Sequence, residues 1–489
     1  MIDTQSIRSN LLEAAIHGEL TDNRDDASLD SILSEINNQY RSLLSQKNTK
    51  EIVDSPMISE DLFELPDTWA WVPLRQLCIF LSRGKSPKYS ETAKYPVFAQ
   101  KCNQPAGLAL ERALFLDETT LDKWQEFFRL QDGDILINST GTGTMGRVGY
   151  YESVKLNPEY PFMVPDSHVT VARVGDGLVS KYAYYALRSP SLQKIMEKQF
   201  RGTTNQKEFY INSAAAMPIP LPPPTVQERI VEVLDSSLEF LQIIDQLQTQ
   251  YADNLTVLKS KLIDAAIQGK LTAQLPEDGT AEEMYQIVQI ERKRQEIDGT
   301  IKQVELAPEI TDKEKPFDIP KTWKWTHLGN ICYIVRGGSP RPIKEYITTR
   351  EDGINWIKIG DVEKGGKYIY STHEKIIPEG ESKSRRVYPG DFLLTNSMSF
   401  GRPYISKIEG CIHDGWLLIH GLNGFDQDYL YYLLSSKYLY NQFTAKASGS
   451  TVENLNIDKV KAAIIPLPPL AEQKRIVARL DQALAMIEV

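Results

Sequence analysis

No stretch of this chain approaches 18 consecutive apolar residues, so no segment is built to cross a membrane as a helix. Residues 1–20 lack the basic start, apolar core and small-residue cleavage site of a secretion signal, which argues for a cytoplasmic protein. The four cysteines, Cys78, Cys102, Cys332 and Cys411, show no CxxC or other ligand spacing, as expected of free thiols in a reducing compartment. Histidine is sparse and scattered over positions 17, 168, 327, 373, 413 and 420, and the one adjacent pair, His413 and Asp414, reads as an ordinary surface or core contact. There is no NPPY-type methyltransferase motif, no GxxxxGK followed by Ser or Thr, and no HExxH. Catalytic machinery, a cofactor-binding site and a metal site are therefore not expected in this chain.

What is present is too long for one core. At 489 residues the chain exceeds the roughly 250 to 300 residues at which single cores stop growing, so several structural units are expected. The net charge of −10 argues at first sight against a polyanionic partner. Its distribution says otherwise. Residues 1–68 carry 5 basic against 14 acidic side chains and residues 225–322 carry 11 against 19, whereas 69–224 carry 18 against 14 and 323–470 carry 18 against 15. Residues 471–489 balance at 3 against 3. The acidity belongs to segments of helical pattern, and two mildly basic segments alternate with them.

The organising stretch is 218–272. It opens with PIPLPPPTVQERIVEVLD, continues with apolar residues at helical spacing (Val226, Ile230, Val233, Ser237, Phe240, Ile244, Leu247, Tyr251, Leu258, Leu262) and closes with KLIDAAIQGKLT. The spacing predicts one long helix with a one-sided stripe. Both of its ends recur. LLEAAIHGELT at 11–21 matches LIDAAIQGKLT at 262–272, each closed by a glycine, Gly18 and Gly269. Helical segments at 29–44 and 281–297 follow, and then FELPDTWAWVPLRQLC at 63–78 answers FDIPKTWKWTHLGNIC at 317–332. RGKSP at 83–87 answers RGGSP at 336–340, GDILINS at 133–139 answers GDFLLTNS at 390–397 with one residue inserted, and the tyrosine-rich helices at 182–189 and 429–436 correspond. LPPPTVQERIVEVLD at 221–235 finally answers LPPLAEQKRIVARLD at 467–481. This period is far too long for a solenoid. The chain is a duplicated domain with its connectors: one complete at the centre, and a second composed of the two termini, giving a circular organisation with approximate twofold symmetry.

Two similar globular domains, PLPPxxxQxRIV at the foot of each helix and AAIxGxLT at its end resemble the specificity subunit of type I restriction-modification enzymes over essentially the whole chain. The resemblance implies a mixed α/β (α+β) fold in five segments. These are a helical N-terminal segment (1–68), target-recognition domain 1 (69–224), a central helical spacer (225–322), target-recognition domain 2 (323–470) and a C-terminal helix (471–489). The long helices would lie antiparallel, like a coiled coil. It implies a non-catalytic subunit that binds double-stranded DNA at a bipartite asymmetric site. Two modification subunits would dock on the helices, and restriction subunits would join that assembly. S-adenosylmethionine, ATP and Mg would then sit on the partner chains, in a bacterial or archaeal cytoplasm. The spacer reading also has a physical basis. Some 40 helical residues span roughly 60 Å, and reading heads one DNA turn apart need about 34 Å. One feature departs from the pattern: the helix beginning at 470 stops at Val489 in apolar register, about 19 residues on. Either the N-terminal segment compensates or the distal helix is short, which would weaken one docking site.

The literal GxGxxG at Gly141, Gly143 and Gly146 follows a strand pattern at 134–138, but RVGYYESV after it alternates like another strand. A dinucleotide site would open a helix there, and the duplicate, SMSFGRPYIS, omits two of the glycines. A polar turn is expected, with Ser139, Thr140, Thr142, Thr144 and Arg147 presented at its tip. Further candidates for DNA contact in the first domain are Arg83, Lys85, Ser86, Tyr89, Gln100, Lys101, Arg201, Thr203, Thr204, Asn205 and Lys207. In the second domain they are Arg336, Ser339, Arg341, Asn396, Ser397, Ser399, Arg402, Lys446, Ser448, Ser450 and Asn454. Arg reads guanine, Asn and Gln read adenine, and Ser, Thr and Lys suit phosphates. Two other functions compete with this one: an interaction scaffold without DNA specificity, favoured by the acidic total, and a stand-alone methyltransferase or nuclease working from the Gly141 turn.

Overall fold

The computed structural model describes all residues except 24–27, 46–50, 53–54, 203–206, 364, 397–400, 423–424, 445–454 and 488–489. They form two compact units, Met1–Thr249 and Gln250–Val489, divided within a single 44-residue helix, Pro224–Ile267.

The first unit opens with helix Thr4–Ile16, whose first turn is capped by Asp3 accepting from the Ser6 N–H at 3.0 Å. Its end turns at Gly18 (φ +74°), where a Cβ would also press on Pro66. Helix Leu29–Ser45 follows. Strands Ala70–Pro73 and Pro218–Leu221 pair antiparallel, Ala70 opposite Leu221, and so tie together the two ends of the segment between them. That segment holds an antiparallel sheet in the order Cys78–Arg83, Val169–Val174, Ile135–Asn138, Val148–Tyr150, and a smaller mixed sheet built on Pro96–Phe98 and Leu114–Leu116. Helices Ser180–Arg188 and Pro190–Lys198 complete it.

The second unit repeats this plan. Lys324–His327 pairs with Ile464–Leu467, and the main sheet runs Cys332–Arg336, Trp416–Gly421, Phe392–Thr395, Pro403–Ser406, with Tyr368–Ile369 added at the edge. Helices Gln427–Ser435 and Lys437–Thr444 occupy the places of the tyrosine-rich pair. Gly269 (φ +71°) turns the end of the long helix against Pro320 as Gly18 does against Pro66. All four cysteines are buried free thiols, and burial pushes those of Cys78 and Cys332 well up.

The repeated PLPPxxxQxRIV has a mechanical explanation. Gln227 is buried. Its Nε2 donates to the Pro222 carbonyl at 2.8 Å and its Oε1 accepts from Val179 N–H at 2.9 Å, joining the helix foot to the start of helix Ser180–Arg188. Gln473 repeats both bonds, to the Pro468 carbonyl at 3.0 Å and from Asp426 N–H at 2.9 Å. The arginine two residues on grips the turn after AAIxGxLT: Arg229 donates to the Asp22 carbonyl at 2.7 Å, and Arg475 to the Ala273 carbonyl at 3.1 Å and to Asp278. At its other end helix Thr4–Ile16 meets Asp245 through Thr4 (2.5 Å) and Arg8 (2.8 Å), so within the first unit it runs antiparallel to the long helix.

The stripe read from the sequence is wider than the face that packs. Val226 and Ile230 are buried, but the row continues through Leu234 and Leu241. Phe240, Leu247, Tyr251 and Leu258 are 63, 58, 56 and 44 % exposed. At about 100° per residue Phe240 projects just over a quarter turn away from Leu241, on the flank of the stripe.

The duplicates differ at one buried joint. In the second unit Glu472, fully buried, accepts from Trp323 Nε1 at 2.8 Å, Thr272 Oγ1 at 3.0 Å and Gln274 Nε2 at 3.0 Å. The first unit keeps the tryptophan and the threonine, Trp69 and Thr21, but has Val226 in place of the glutamate. There Trp69 Nε1 and Thr21 Oγ1 have no partner among the described residues. They also differ beneath the Gly-Asp pairs. Asp134 takes two bonds from Arg173, at 2.7 and 2.8 Å, whereas Asp391 takes one from His420 Nδ1 at 2.6 Å, which raises the imidazole's pKa.

Glu472→Val is expected to cost about 1–3 kcal/mol, because it orphans buried donors, and Glu472→Gln less. Hydrogen exchange should speed up at 272–274 and 323–325 and not at 66–73; equal change in both places would contradict this account. The His420 bond acts with the opposite pH sense to a carboxylate pair. Its contribution is complete below about pH 6.5 and is lost as pH rises through the raised folded value. His420→Arg, which copies Arg173, should flatten the decline in stability above about pH 6.5, measured by denaturant unfolding; matching pH profiles for the two proteins would remove His420 from the explanation.

Candidate nucleic-acid interface

In the first unit the predicted polar residues gather where strands Cys78–Arg83, Ile135–Asn138 and Val169–Val174 end together. The GxGxxG segment is a turn between antiparallel strands, with Ile137 opposite Val148, so no helix N-terminus is available for a pyrophosphate. Thr142 is exposed at its tip. Thr140 bonds His168 Nδ1 at 2.8 Å, and Gln100 Oε1 accepts from Thr140 and Thr144, both at 3.4 Å. Arg147 is folded back onto the carbonyls of Asn103 (3.3 Å) and Gly143 (3.0 Å), fixing the turn. Ser139 corrects the expectation of a tip residue: it is fully buried under the turn, its hydroxyl taken by Thr170 at 2.6 Å.

The cations of RGKSP are committed internally. Arg83 pairs with Glu208 and donates to the Phe209 carbonyl at 2.8 Å, and Lys85 donates to the Lys123 carbonyl with its ammonium 4.1 Å from the Phe128 ring centre. Ser86 is exposed and meets Ser167 at 3.4 Å. Tyr89, Lys101, Arg201 and Lys207 are exposed, the Arg201 guanidinium resting on the Lys198 carbonyl at 2.7 Å. Thr203, Thr204, Asn205, Ser397, Ser399, Lys446, Ser448, Ser450 and Asn454 lie outside the described residues.

In the second unit four candidates converge on one residue, Asp414. Ser339 Oγ donates to Oδ1 at 2.8 Å and Arg341 Nη2 to Oδ2 at 3.3 Å. Arg336 Nε and Asn396 Nδ2 donate to the Asp414 carbonyl at 3.1 and 3.4 Å. The Ser339 bond holds the Asp414 carboxyl below the ordinary range, while burial lowers the neighbouring His413 imidazole, favouring its neutral form. Asn396 is buried, and its Oδ1 has no partner among the described residues. Arg402 is exposed beyond the strand end and apart from this cluster's bonds, with its N–H on Thr395 Oγ1 at 3.0 Å.

The two clusters share one frame. Ser139 N–H donates to the His168 carbonyl and Asn396 N–H to the Gly415 carbonyl, both at 2.8 Å; Gly84 N–H donates to Val169 and Gly337 N–H to Trp416, at 3.0 and 2.9 Å. Ser139 therefore corresponds to Asn396, and Ser167 to Asp414. The glycine of each RG pair is demanded by this crossing. A Cβ on Gly84 would run into the carbonyls of Pro165 and Asp166, and one on Gly337 into the carbonyl of His413. Asp414, Ser167, His168 and Glu208 were not among the expected site residues. Superposing DSHVTV at 166–171 on HDGWLL at 413–418 would have exposed the first two.

Residues 66–250 and 320–489 each match the family described as type I restriction modification DNA specificity domain. The chain belongs to that family. The specificity subunit of the Escherichia coli enzyme EcoEI is 24 % identical over 98 % of this chain and 88 % of its own length, and that of EcoAI is likewise 24 % identical over 98 % and 88 %. A chain solved in a study of complex assembly and conformational transition of the type I R-M system shares the fold at TM-score 0.60 and 18 % identity, covering 87 % of this chain and 93 % of that one. This specificity subunit accordingly recognises DNA sequence and is not itself the catalyst. No described helix is long and apolar enough to cross a membrane.

Gly337→Ala in the specificity subunit is expected to lower stability by about 1–3 kcal/mol, the usual cost of overpacking, and to lift Ser339 and Arg341 from Asp414. A denaturant series and a structure of the variant check this; unaltered stability with the loop in place would show that the His413 backbone yields freely.

Proposed function

We propose that the chain reads a bipartite, asymmetric DNA site, with residues 69–224 contacting one half and residues 323–470 the other. The observation that carries this is a frame kept twice while the chemistry it presents changes: Ser167 against Asp414, and Thr140 and Thr144 with Gln100 in one unit against Arg341 in the other. Identical reading heads would favour a palindrome; unlike ones suit two different half-sites. The charge distribution agrees, since both segments are mildly basic and the helical segments acidic. The 44-residue helix supplies a ruler between the half-sites, and the helical segments supply the docking surface for two modification subunits, with restriction subunits joining them. S-adenosylmethionine, ATP and Mg belong on those partners, in the cytoplasm of the host cell.

The test is segment exchange in the assembled enzyme. Replacing 323–470 by the corresponding segment of another specificity subunit should change one half of the methylated site and leave the other intact; no change would leave an interaction scaffold. Inserting four residues near Gln250 should alter the gap and neither half-site, read from methylated positions in cellular DNA. An altered half-site would count against the ruler.

A further inference from the structure

We infer that Arg341 reads a guanine in the second half-site and that Asp414 is the residue that positions it. This deepens the proposed function and rests on that reading of the second unit. Among the described residues Arg341 is held only by Asp414, through Nη2 to Oδ2 at 3.3 Å, and its side chain is 79 % exposed. Asp414 is fixed in turn, its Oδ1 taken by Ser339 at 2.8 Å and its carbonyl by Arg336 and Asn396. The guanidinium thus has one nitrogen on Asp414 while most of the side chain is open to solvent. That is the arrangement needed to offer two parallel N–H groups to the O6 and N7 acceptors of guanine.

Two observations separate this from a phosphate contact and from a role in folding. A carboxylate beside the cation weakens its pull on a phosphate while restricting its orientation, which favours direction over charge. Asp414 is also dispensable to the frame. The first unit places Ser167 at the equivalent position, closes the same crossing over Gly84, and meets Ser86 there with one neutral contact at 3.4 Å. The carboxylate therefore belongs to what the second unit presents.

The experiment uses the specificity subunit assembled with its modification partners. The methylated site is mapped first, and then competition binding is measured on duplexes carrying each single-base change, across a salt series. For the unmodified protein, one guanine of the second half-site should be required, and 7-deazaguanine there should weaken binding. Arg341→Ala and Arg341→Lys should relax discrimination at that base by roughly 5- to 150-fold and leave the first half-site unchanged. Asp414→Ser, the first unit's residue, should relax the same position with Arg341 still present. A second half-site without guanine would overturn the inference. So would unchanged discrimination in Arg341→Ala, or uniform weakening across sequences with a shallower salt dependence, the signature of a phosphate contact. Those failures leave segment exchange able to switch a half-site; failure of the exchange itself would instead sink the proposed function.

Discussion

Everything in each unit hangs from a buried glutamine at a helix foot. Gln227 and Gln473 use both ends of their amide, one on the proline-rich lead and one on the first turn of the tyrosine-rich helix. A buried amide satisfied at both ends fixes distance and direction together, which a hydrophobic contact does not. The arginine two residues later then seizes the turn left by the incoming helix. Helix foot, helix end and recognition segment meet at a single joint, and the short strand pair, Ala70–Pro73 with Pro218–Leu221 or Lys324–His327 with Ile464–Leu467, closes the globular part on it.

Above that joint the chain separates what must be constant from what must vary. The backbone crossing over Gly84 and Gly337 is set by main-chain hydrogen bonds and by the absence of a Cβ, so it is indifferent to the side chains around it. The side chains differ accordingly. The first unit presents hydroxyls, an amide and an imidazole; the second presents the Arg341 guanidinium on the Asp414 carboxylate. Such a division suits the proposed reading of two unlike half-sites, which needs two heads held alike and presenting different groups.

Much of the architecture was legible before any coordinates, because duplication turns weak motifs into paired ones. The helix ends at Gly18 and Gly269, the helix feet and the matching sheet orders all follow from repeated strings. Side-chain commitment was not legible. A basic loop such as RGKSP gives no sign that Arg83 is spent on Glu208 or that Lys85 lies over Phe128, because those partners are distant in sequence. Ser139 looked like a turn tip because burial depends on which strand lies beneath, here the one carrying Thr170. The apolar stripe misled in a different way: spacings of three and four admit a band wider than the face that packs, and Phe240 and Leu247 fall outside that face. Asp414, which beside His413 reads as an ordinary contact, owes its place to three segments meeting, and only the comparison of 166–171 with 413–418 hints at it.

The missing glutamate in the first unit shows what duplication does to an interior. Once a chain carries two copies of a joint, each copy is shaped by its own neighbours alone, and the pair drifts apart where no ligand looks. At position 472 the second copy has a complete polar knot around Trp323; at position 226 the first has a methyl-lined seat that leaves Trp69 Nε1 and Thr21 Oγ1 without partners among the described residues. Two halves that share an outline are therefore not spare parts for one another. A graft that carries the tryptophan and threonine of one copy with the helix foot of the other exchanges a satisfied interior for an unsatisfied one, even where the outer surface is identical.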